Sequence, residues 1–404
     1  MINRRDVLKS MGIGAGLTAI ASGIPGVTFA NSAGNSKFVL VVLRGAVDGL
    51  ALAAPYGDGN YRKVRGELAI PNPGETDGLL KLDGLFGLNP ALPGVHESFL
   101  AGQASIIHAV ASPYRERSHF DGQDLLESGA TTVGAARDGW LNRALASFDS
   151  RIGEETAIAL AANTPLVLRG SNSVTSWAPS RLPDADESTL LRLQRLYADD
   201  EFFATRLQQA LRSQEIAGDQ MEMGKSGRRG NEAKQFGELM TSAARFLTTD
   251  GGPRIAVTEL GGWDTHANQG STSGALANRL RSLDTGLTNL RDGLGDQWDE
   301  TVVAVVTEFG RTVHVNGTRG TDHGTGTAAL LMGGAVAGGN VVADWPGLRN
   351  KDLYAGRDLM PTSDVRSVFK TVLAEHLGVA EALLERDVFP DSGSARMLQG
   401  LIKT

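Results

Sequence analysis

Past the first thirty-odd residues, the hydrophobic pattern opens with residues 37–43 (KFVLVVL), a short run that is almost entirely apolar and rich in Val. Such a run leaves no polar face for solvent, so it predicts a strand buried on both sides, the usual state of a parallel sheet. Comparable runs at residues 105–110, 157–161 with 166–168, 254–258, 301–306 and 328–332 predict further strands. Elsewhere the period changes. Leu276, Leu280, Leu283, Leu287, Leu290 and Leu294 recur every three or four residues, and so do Val365, Val368, Phe369, Val372 and Leu373. That spacing predicts amphipathic helices. Strands alternating with helices predict an α/β fold built on a doubly wound, mostly parallel sheet.

Two regions depart from this pattern. Residues 184–216 hold Leu190, Leu193, Leu196, Tyr197, Phe203, Leu207 and Leu211 at helical spacing, and residues 217–231 (AGDQMEMGKSGRRGN) are polar and aperiodic. They predict a helical insertion or lid over about 184–250, with a mobile loop, inside one domain covering 31–404. The first thirty residues read as an address: a charged start with Arg4-Arg5 and Leu8-Lys9, a weakly apolar Gly/Ala-rich run, then Val27-Thr28-Phe29-Ala30 with small residues at the cleavage positions. The paired arginines resemble a twin-arginine signal, so residues 1–30 are expected to engage the twin-arginine export machinery. A periplasmic or secreted chain follows, with no membrane span once the signal is removed.

Composition narrows the chemistry. With 404 residues, 41% hydrophobic and 21% charged, the chain is an ordinary globular one, which excludes disorder and fibres. Lys+Arg 39 against Asp+Glu 46 gives a net charge of -7, so attraction to phosphate backbones is absent and no nucleic-acid partner is expected. There is no Cys, which removes disulfides, thiolate nucleophiles and sulfur-ligated metals; any metal must sit on His, Asp or Glu. The chain has 7 His, so a constellation that uses several of them is informative.

Four clusters follow predicted strands, where an open α/β sheet presents ligands. Asp48 stands in Arg44-Gly45-Ala46-Val47-Asp48-Gly49, as a ligand or as a helix cap. Ser118 precedes a predicted helix, as a plain cap or as a nucleophile, with Arg115, Arg117 and His119 beside it. Asp264 and His266 lie two residues apart after Gly261-Gly262-Trp263, so both reach the same side. Glu308 ends the strand at 301–306, and after Arg311 a loop brings Asp322-His323, framed by glycines. Together they offer oxygen and nitrogen donors for a hard or borderline divalent ion. His96, His108, His314 and His376 lack such framing and are expected at the surface or in the core.

The blocks Leu43-Arg44-Gly45-Ala46-Val47-Asp48-Gly49-Leu50, Ser118-His119-Phe120-Asp121, Gly262-Trp263-Asp264-Thr265-His266, Thr307-Glu308-Phe309-Gly310-Arg311-Thr312 and Gly320-Thr321-Asp322-His323-Gly324 resemble the signatures of the secreted domain-of-unknown-function family 1501. The likeness runs in order through nearly the whole mature chain. The family is grouped by fold with alkaline phosphatases and sulfatases, which implies an α/β sheet carrying a bimetal site and a nucleophile. By that resemblance Asp48 matches the acid after the first strand, and Asp264 with His266 match the ligands of a second metal. Glu308 retains a carboxylate ligand while Phe309 replaces its neighbour; His323 matches the last His and Ser118 the nucleophile. Metal ligands are then expected among Asp48, Asp264, His266, Glu308, Asp322 and His323, for Zn, Mn, Mg or Ca. Ser118 and His119 are expected to be catalytic, with Arg115, Arg117 or Arg311 neutralising an anionic substrate, either a small molecule or a polymer. The implied function is metal-dependent hydrolysis of phosphate or sulfate esters. Two alternatives are a non-catalytic secreted binding or assembly protein, in which Phe309 and Trp263 fill the place of a metal, and a carbohydrate- or polymer-binding protein with the insertion as a lid.

Overall fold

The computed structural model describes residues 35–148, 156–179, 187–217 and 232–403. The signal-like segment 1–30 and most of the polar stretch 217–231 lie outside them.

In chain order the main elements are β1 (Lys37–Arg44), α1 (Pro93–Leu100), β2 (Ala104–Ala111), α2 (His119–Ser128), α3 (Trp140–Leu145), β3 (Ala157–Ala159), β4 (Thr175–Ser176), α4 (Glu187–Leu196), α5 (Glu201–Ala217) and α6 (Glu232–Thr248). They continue with β5 (Ile255–Gly261), α7 (Ala275–Leu294), β6 (Thr301–Thr307), β7 (Thr327–Met332), β8 (Asn340–Val342), β9 (Ser363–Asp364) and α8 (Val365–Thr371). Leu166–Leu168, expected as strand, is a single 3-10 turn that buries Val167 and Leu168; a short apolar run does not by itself distinguish the two.

One sheet runs in the order β8-β2-β7-β6-β1-β5-β3-β4, with β9 also paired to β2. β1 lies parallel between β5 and β6, with Leu43 opposite Leu260 on one side and Thr307 on the other. β7 runs antiparallel to both of its neighbours, β2 and β6. The sheet is therefore mixed, and mostly parallel.

Period-two alternation explains why β1 is apolar throughout. Val39, Val41 and Leu43 enter one core while Phe38, Leu40 and Val42 enter the other. The first core is closed by α1, α6 and α7, the second by α3, α8 and the chain around Leu384 and Phe389. In α7, Leu276, Leu280, Leu283, Leu287, Leu290 and Leu294 are all buried, each worth roughly 1.5–3 kcal/mol relative to exposure. They meet Phe236, Met240, Ala243, Ala244 and Leu247 of α6, an approach that needs a glycine at 286, where a Cβ would stand 2.3 Å from the Phe236 ring. Within the expected insertion, then, α6 belongs to the main core, whereas α5 leaves Phe202 and Phe203 exposed and α4 leaves Leu196 exposed. No helix among the described residues is long and apolar enough to cross a membrane.

The topology also places the chemistry. β1, β2, β5 and β6 end at one edge of the sheet, and β7, being reversed, begins there. The segments 45–48, 112–119, 262–266, 308–311 and 322–325 thus open onto a common crevice.

Candidate metal centre

The loop after β1 is shaped to hold Glu308. Gly45 (φ 118) and Ala46 (φ 63) are both left-handed, and a Cβ on Gly45 would stand 2.7 Å from the backbone nitrogen of Asp264. In this turn Gly45 N–H donates to Glu308 Oε1 at 2.9 Å and Val47 N–H donates to Thr307 Oγ1 at 3.2 Å. Such strain in a non-glycine residue persists only where its surroundings over-determine it, and it recurs at Arg117 (φ 65), on the opposite wall of the crevice.

Three imidazoles meet between these walls. His323 Nε2 lies 3.0 Å from His119 Nε2 and 3.0 Å from His266 Nε2. Asp264 Oδ1 is 2.9 Å from His266 Nε2 and 3.1 Å from His323 Nε2, while Oδ2 is 3.5 Å from His119 Nε2. Each ring is turned by a partner on its far nitrogen: His119 Nδ1 faces Glu308 Oε1 at 2.8 Å, His266 Nδ1 faces Asp322 Oδ1 at 3.0 Å, and His323 Nδ1 faces the Arg117 carbonyl at 2.9 Å. All three partners are acceptors, so each Nδ1 donates and each ring, when neutral, turns its Nε2 lone pair inward. Lone pairs this close, together with a carboxylate, repel one another unless a proton or a metal ion lies among them. The donor set therefore fits a metal ion. His119, Asp264 and His323 offer ligand atoms all within 4.8 Å of one another, and His266 adjoins them.

The electrostatics follow from these partners. The Glu308 carboxylate holds His119 above the usual imidazole range against the opposing effect of burial, whereas burial holds His323 below it. Burial alone would raise Asp264, but Arg311 outweighs it and keeps the carboxyl below its usual range. Burial likewise opposes ionisation of Glu308, and the hydrogen bonds from His119, Thr307 and Gly45 win. Side chains at the rim are open to water, with Asp264 40% and His266 45% exposed; Glu308 beneath them is 0% exposed.

Of the residues singled out in the sequence, the structure brings Asp264, His266, His323 and His119 together. It does not bring Asp48 into contact with them. Asp48 is buried, paired with Arg65 and accepting from Gln269 Nε2 at 2.6 Å, so its carboxylate is already neutralised away from the imidazoles. Glu308 and Asp322 stand behind His119 and His266 as acceptors. None of the three arginines expected to neutralise a substrate is free: Arg311 donates to Asp264 and Thr321, Arg117 pairs with Asp358, and Arg115 donates to the carbonyls of Ser112 and Tyr114. Ser118 stands at the N-cap position of α2, its side chain making no capping hydrogen bond, and its N–H donates to Tyr114 Oη at 3.0 Å; the α2 residue that touches the cluster is His119. Phe309 stacks on His119 with ring centroids 4.9 Å apart, and Trp263 is buried with its Nε1–H on the Leu260 carbonyl. With the Nε2 atoms 3.0 Å apart, neither ring lies between them.

Sequence reading missed Arg65, Gln123, Gln269, Thr321 and Asp358. Gln269 receives Thr265 Oγ1–H at 2.8 Å and Thr321 Oγ1–H at 2.6 Å, tying together the two loops that carry Asp264, His266 and His323. Asp358, fully buried, takes Arg117 Nε–H at 2.8 Å and Thr325 Oγ1–H at 2.8 Å. These partners lie far apart in the chain, and no local pattern announces them.

Fold and site together define an α/β protein with a His/Asp cluster at the carboxyl edge of a mostly parallel sheet. Over residues 103–388 the chain matches the family described as "Protein of unknown function (DUF1501)", and it belongs to that family. No curated protein matches it. Among solved structures it is similar to a putative sulfatase from Bacteroides thetaiotaomicron (10% identity, 86% of this chain and 71% of that one, TM-score 0.41). It is also similar to a protein in the alkaline phosphatase superfamily from Vibrio parahaemolyticus (11%, 85% and 67%, TM-score 0.38) and to the phosphonate monoester hydrolase of Agrobacterium radiobacter (12%, 85% and 74%, TM-score 0.33).

Proposed function

We propose that this chain is a metal-dependent hydrolase of phosphate or sulfate esters. The observation that carries the metal dependence is the convergence of three inward Nε2 atoms on Asp264, each ring locked from behind. The ester class comes from the family resemblance of the sequence blocks. His119, Asp264, His266 and His323 would hold the ion. A divalent ion there supplies Lewis acidity toward an ester oxygen and lowers the pKa of water.

The remaining roles belong to the chain. Glu308 keeps His119 in one tautomer, and Asp322 does the same for His266. Arg311, buried and fixed by Thr321, orients Asp264. Ser118, next to His119 at the start of α2, is the hydroxyl assigned as nucleophile, with its backbone anchored by Tyr114. The rim side chains of Asp264, His266 and Asp322 are 40%, 45% and 49% exposed, so an ester can approach them from solvent.

The test is a panel of aryl phosphate, aryl sulfate and phosphonate monoesters, assayed with protein loaded in turn with Zn, Mn, Mg and Ca. Turnover that disappears on chelation and in His323→Ala, and falls by at least about 100-fold in Ser118→Ala, supports the assignment. Metal-loaded protein that turns over none of the three classes refutes it. Export belongs to the same proposal: residues 1–30 are a twin-arginine signal and the mature chain is periplasmic. In cell fractionation, Arg4→Lys/Arg5→Lys protein should remain in the cytoplasm with its first residues uncleaved; unchanged export refutes this part.

A further inference from the structure

We infer that the centre takes a single ion, and that this ion is a borderline transition metal such as zinc, cobalt or iron rather than magnesium or calcium. The inference rests on reading the cluster as a metal centre and goes further, fixing the number and kind of ion from the fate of each carboxylate.

The inward donors are three imidazole nitrogens and one carboxylate. Imidazole suits zinc, copper, iron and nickel, whereas magnesium and calcium need a shell of oxygens. Of the oxygens that could have completed such a shell, both of Glu308 and one each of Asp322 and Asp48 accept hydrogen bonds from other groups. Glu308 Oε1 receives Gly45 N–H, His119 Nδ1–H and Gln123 Nε2–H, and Oε2 receives Thr307 Oγ1–H. Asp322 Oδ1 takes both His266 Nδ1–H and Asn316 Nδ2–H. Asp48 Oδ2 takes Arg65 and Gln269. Asp264 is the one crevice carboxylate that touches all three Nε2 atoms.

A second ion would need a carboxylate to share with the first, and the place beside Asp264 is taken. Arg311 Nη1–H donates to Asp264 Oδ1 at 2.5 Å, from a side chain 0% exposed whose Nε–H and Nη2–H are held by the Thr321 hydroxyl and carbonyl. From there the hydrogen bonds continue through the Thr321 hydroxyl to Gln269, from Gln269 to Asp48, and from Asp48 to Arg65. This buried line begins and ends on a guanidinium. Each of its two carboxylates already faces a fixed positive charge, so a further divalent ion would meet like charge on arrival.

The experiment uses mature protein stripped with chelator, then titrated with zinc, cobalt(II), magnesium and calcium. Calorimetry and elemental analysis of the dialysed protein report the stoichiometry, and visible absorption follows cobalt. The expected result is one equivalent of zinc or cobalt per chain, bound at least about 100-fold more tightly than magnesium or calcium. His266→Asn, at a position 45% exposed, should weaken zinc binding by at least about tenfold and alter the cobalt band. Two equivalents, or magnesium or calcium binding as tightly as zinc, overturns the inference and leaves the metal centre standing. No binding of any of the four ions overturns the metal centre itself.

Discussion

Glu308→Gln isolates a single charge. In the wild-type chain three donors reach Oε1, from Gly45 at 2.9 Å, His119 at 2.8 Å and Gln123 at 3.2 Å, while Thr307 Oγ1 lies 2.8 Å from Oε2. A glutamine carbonyl placed at Oε1 keeps the first three. Its amide nitrogen, at the place of Oε2, donates to Thr307 Oγ1, whose single hydrogen then turns to the Leu43 carbonyl, 2.7 Å away. Every contact survives and the negative charge behind His119 is lost. A hydrogen bond to a charged group contributes about 1.5–3 kcal/mol and a neutral one about 0.5–1.5, so the difference is about 1–1.5 kcal/mol. Loss of ligand basicity by that amount weakens the ion about tenfold, at the lower edge of the range of about 10- to 100-fold for outer partners of metal-bound histidines. The assay is zinc competition against a chromophoric chelator at pH 7, with thermal melting of the metal-free protein alongside. A variant that binds zinc within about twofold of wild type refutes the assignment of Glu308 as the group that tunes His119.

His108 is fully buried, stacked on Phe86, with its ring held by the Ala53 carbonyl, and burial pushes it down to about 4. A base with a depressed folded pKa leaves stability intact above the unfolded value of about 6.5 and removes it as pH falls toward 4, by about 3 kcal/mol in all. Urea unfolding at pH 7 and 4.5 should show a smaller acid loss for His108→Phe than for wild type; equal losses count against this origin. Asp358→Ala leaves Arg117 without its buried partner and should cost about 3 kcal/mol in urea unfolding while also weakening zinc, because the Arg117 carbonyl orients His323. A cost under about 1 kcal/mol contradicts the clamp. Gly286→Ala drives a Cβ into the Phe236 ring and should destabilise by about 1–3 kcal/mol despite better helix propensity, so a variant more stable than the parent disproves the close α6–α7 approach.

The apolar runs at β1 and β6 were legible because both faces of each strand are covered, which leaves a continuous signal. The leucine period of α7 was equally plain. The reversal of β7 was not, since a strand of six buried residues looks the same in either direction. At the site, residue type and strand-end position brought out Asp264, His266 and His323. They could not separate ligand from supporter: Glu308 and Asp322 are as acidic as Asp264, and which imidazole nitrogen each one faces is set by tertiary contact. His119 carried a weaker cue, a His at the start of a helix, and its alignment depends on Glu308, 189 positions away. Arg65 and Gln269 left no cue, because Asp48 reads as a cap or a ligand until its partners are seen.

The reversed strand β7 also orders the events of folding. Because it returns beside β6, residues 308–326 form one local connection that already carries Glu308, Arg311 and His323. Closing it costs less chain entropy than pairing β1 with β6, where Leu43 meets Thr307, or bringing α2 and β5 to the same edge. One of the four donors, His323, can therefore assemble early with this connection, together with the supporting Glu308 and Arg311. Asp264, His266 and His119 arrive only through long-range closure, so the nascent chain should gain its affinity for metal as one of its last steps.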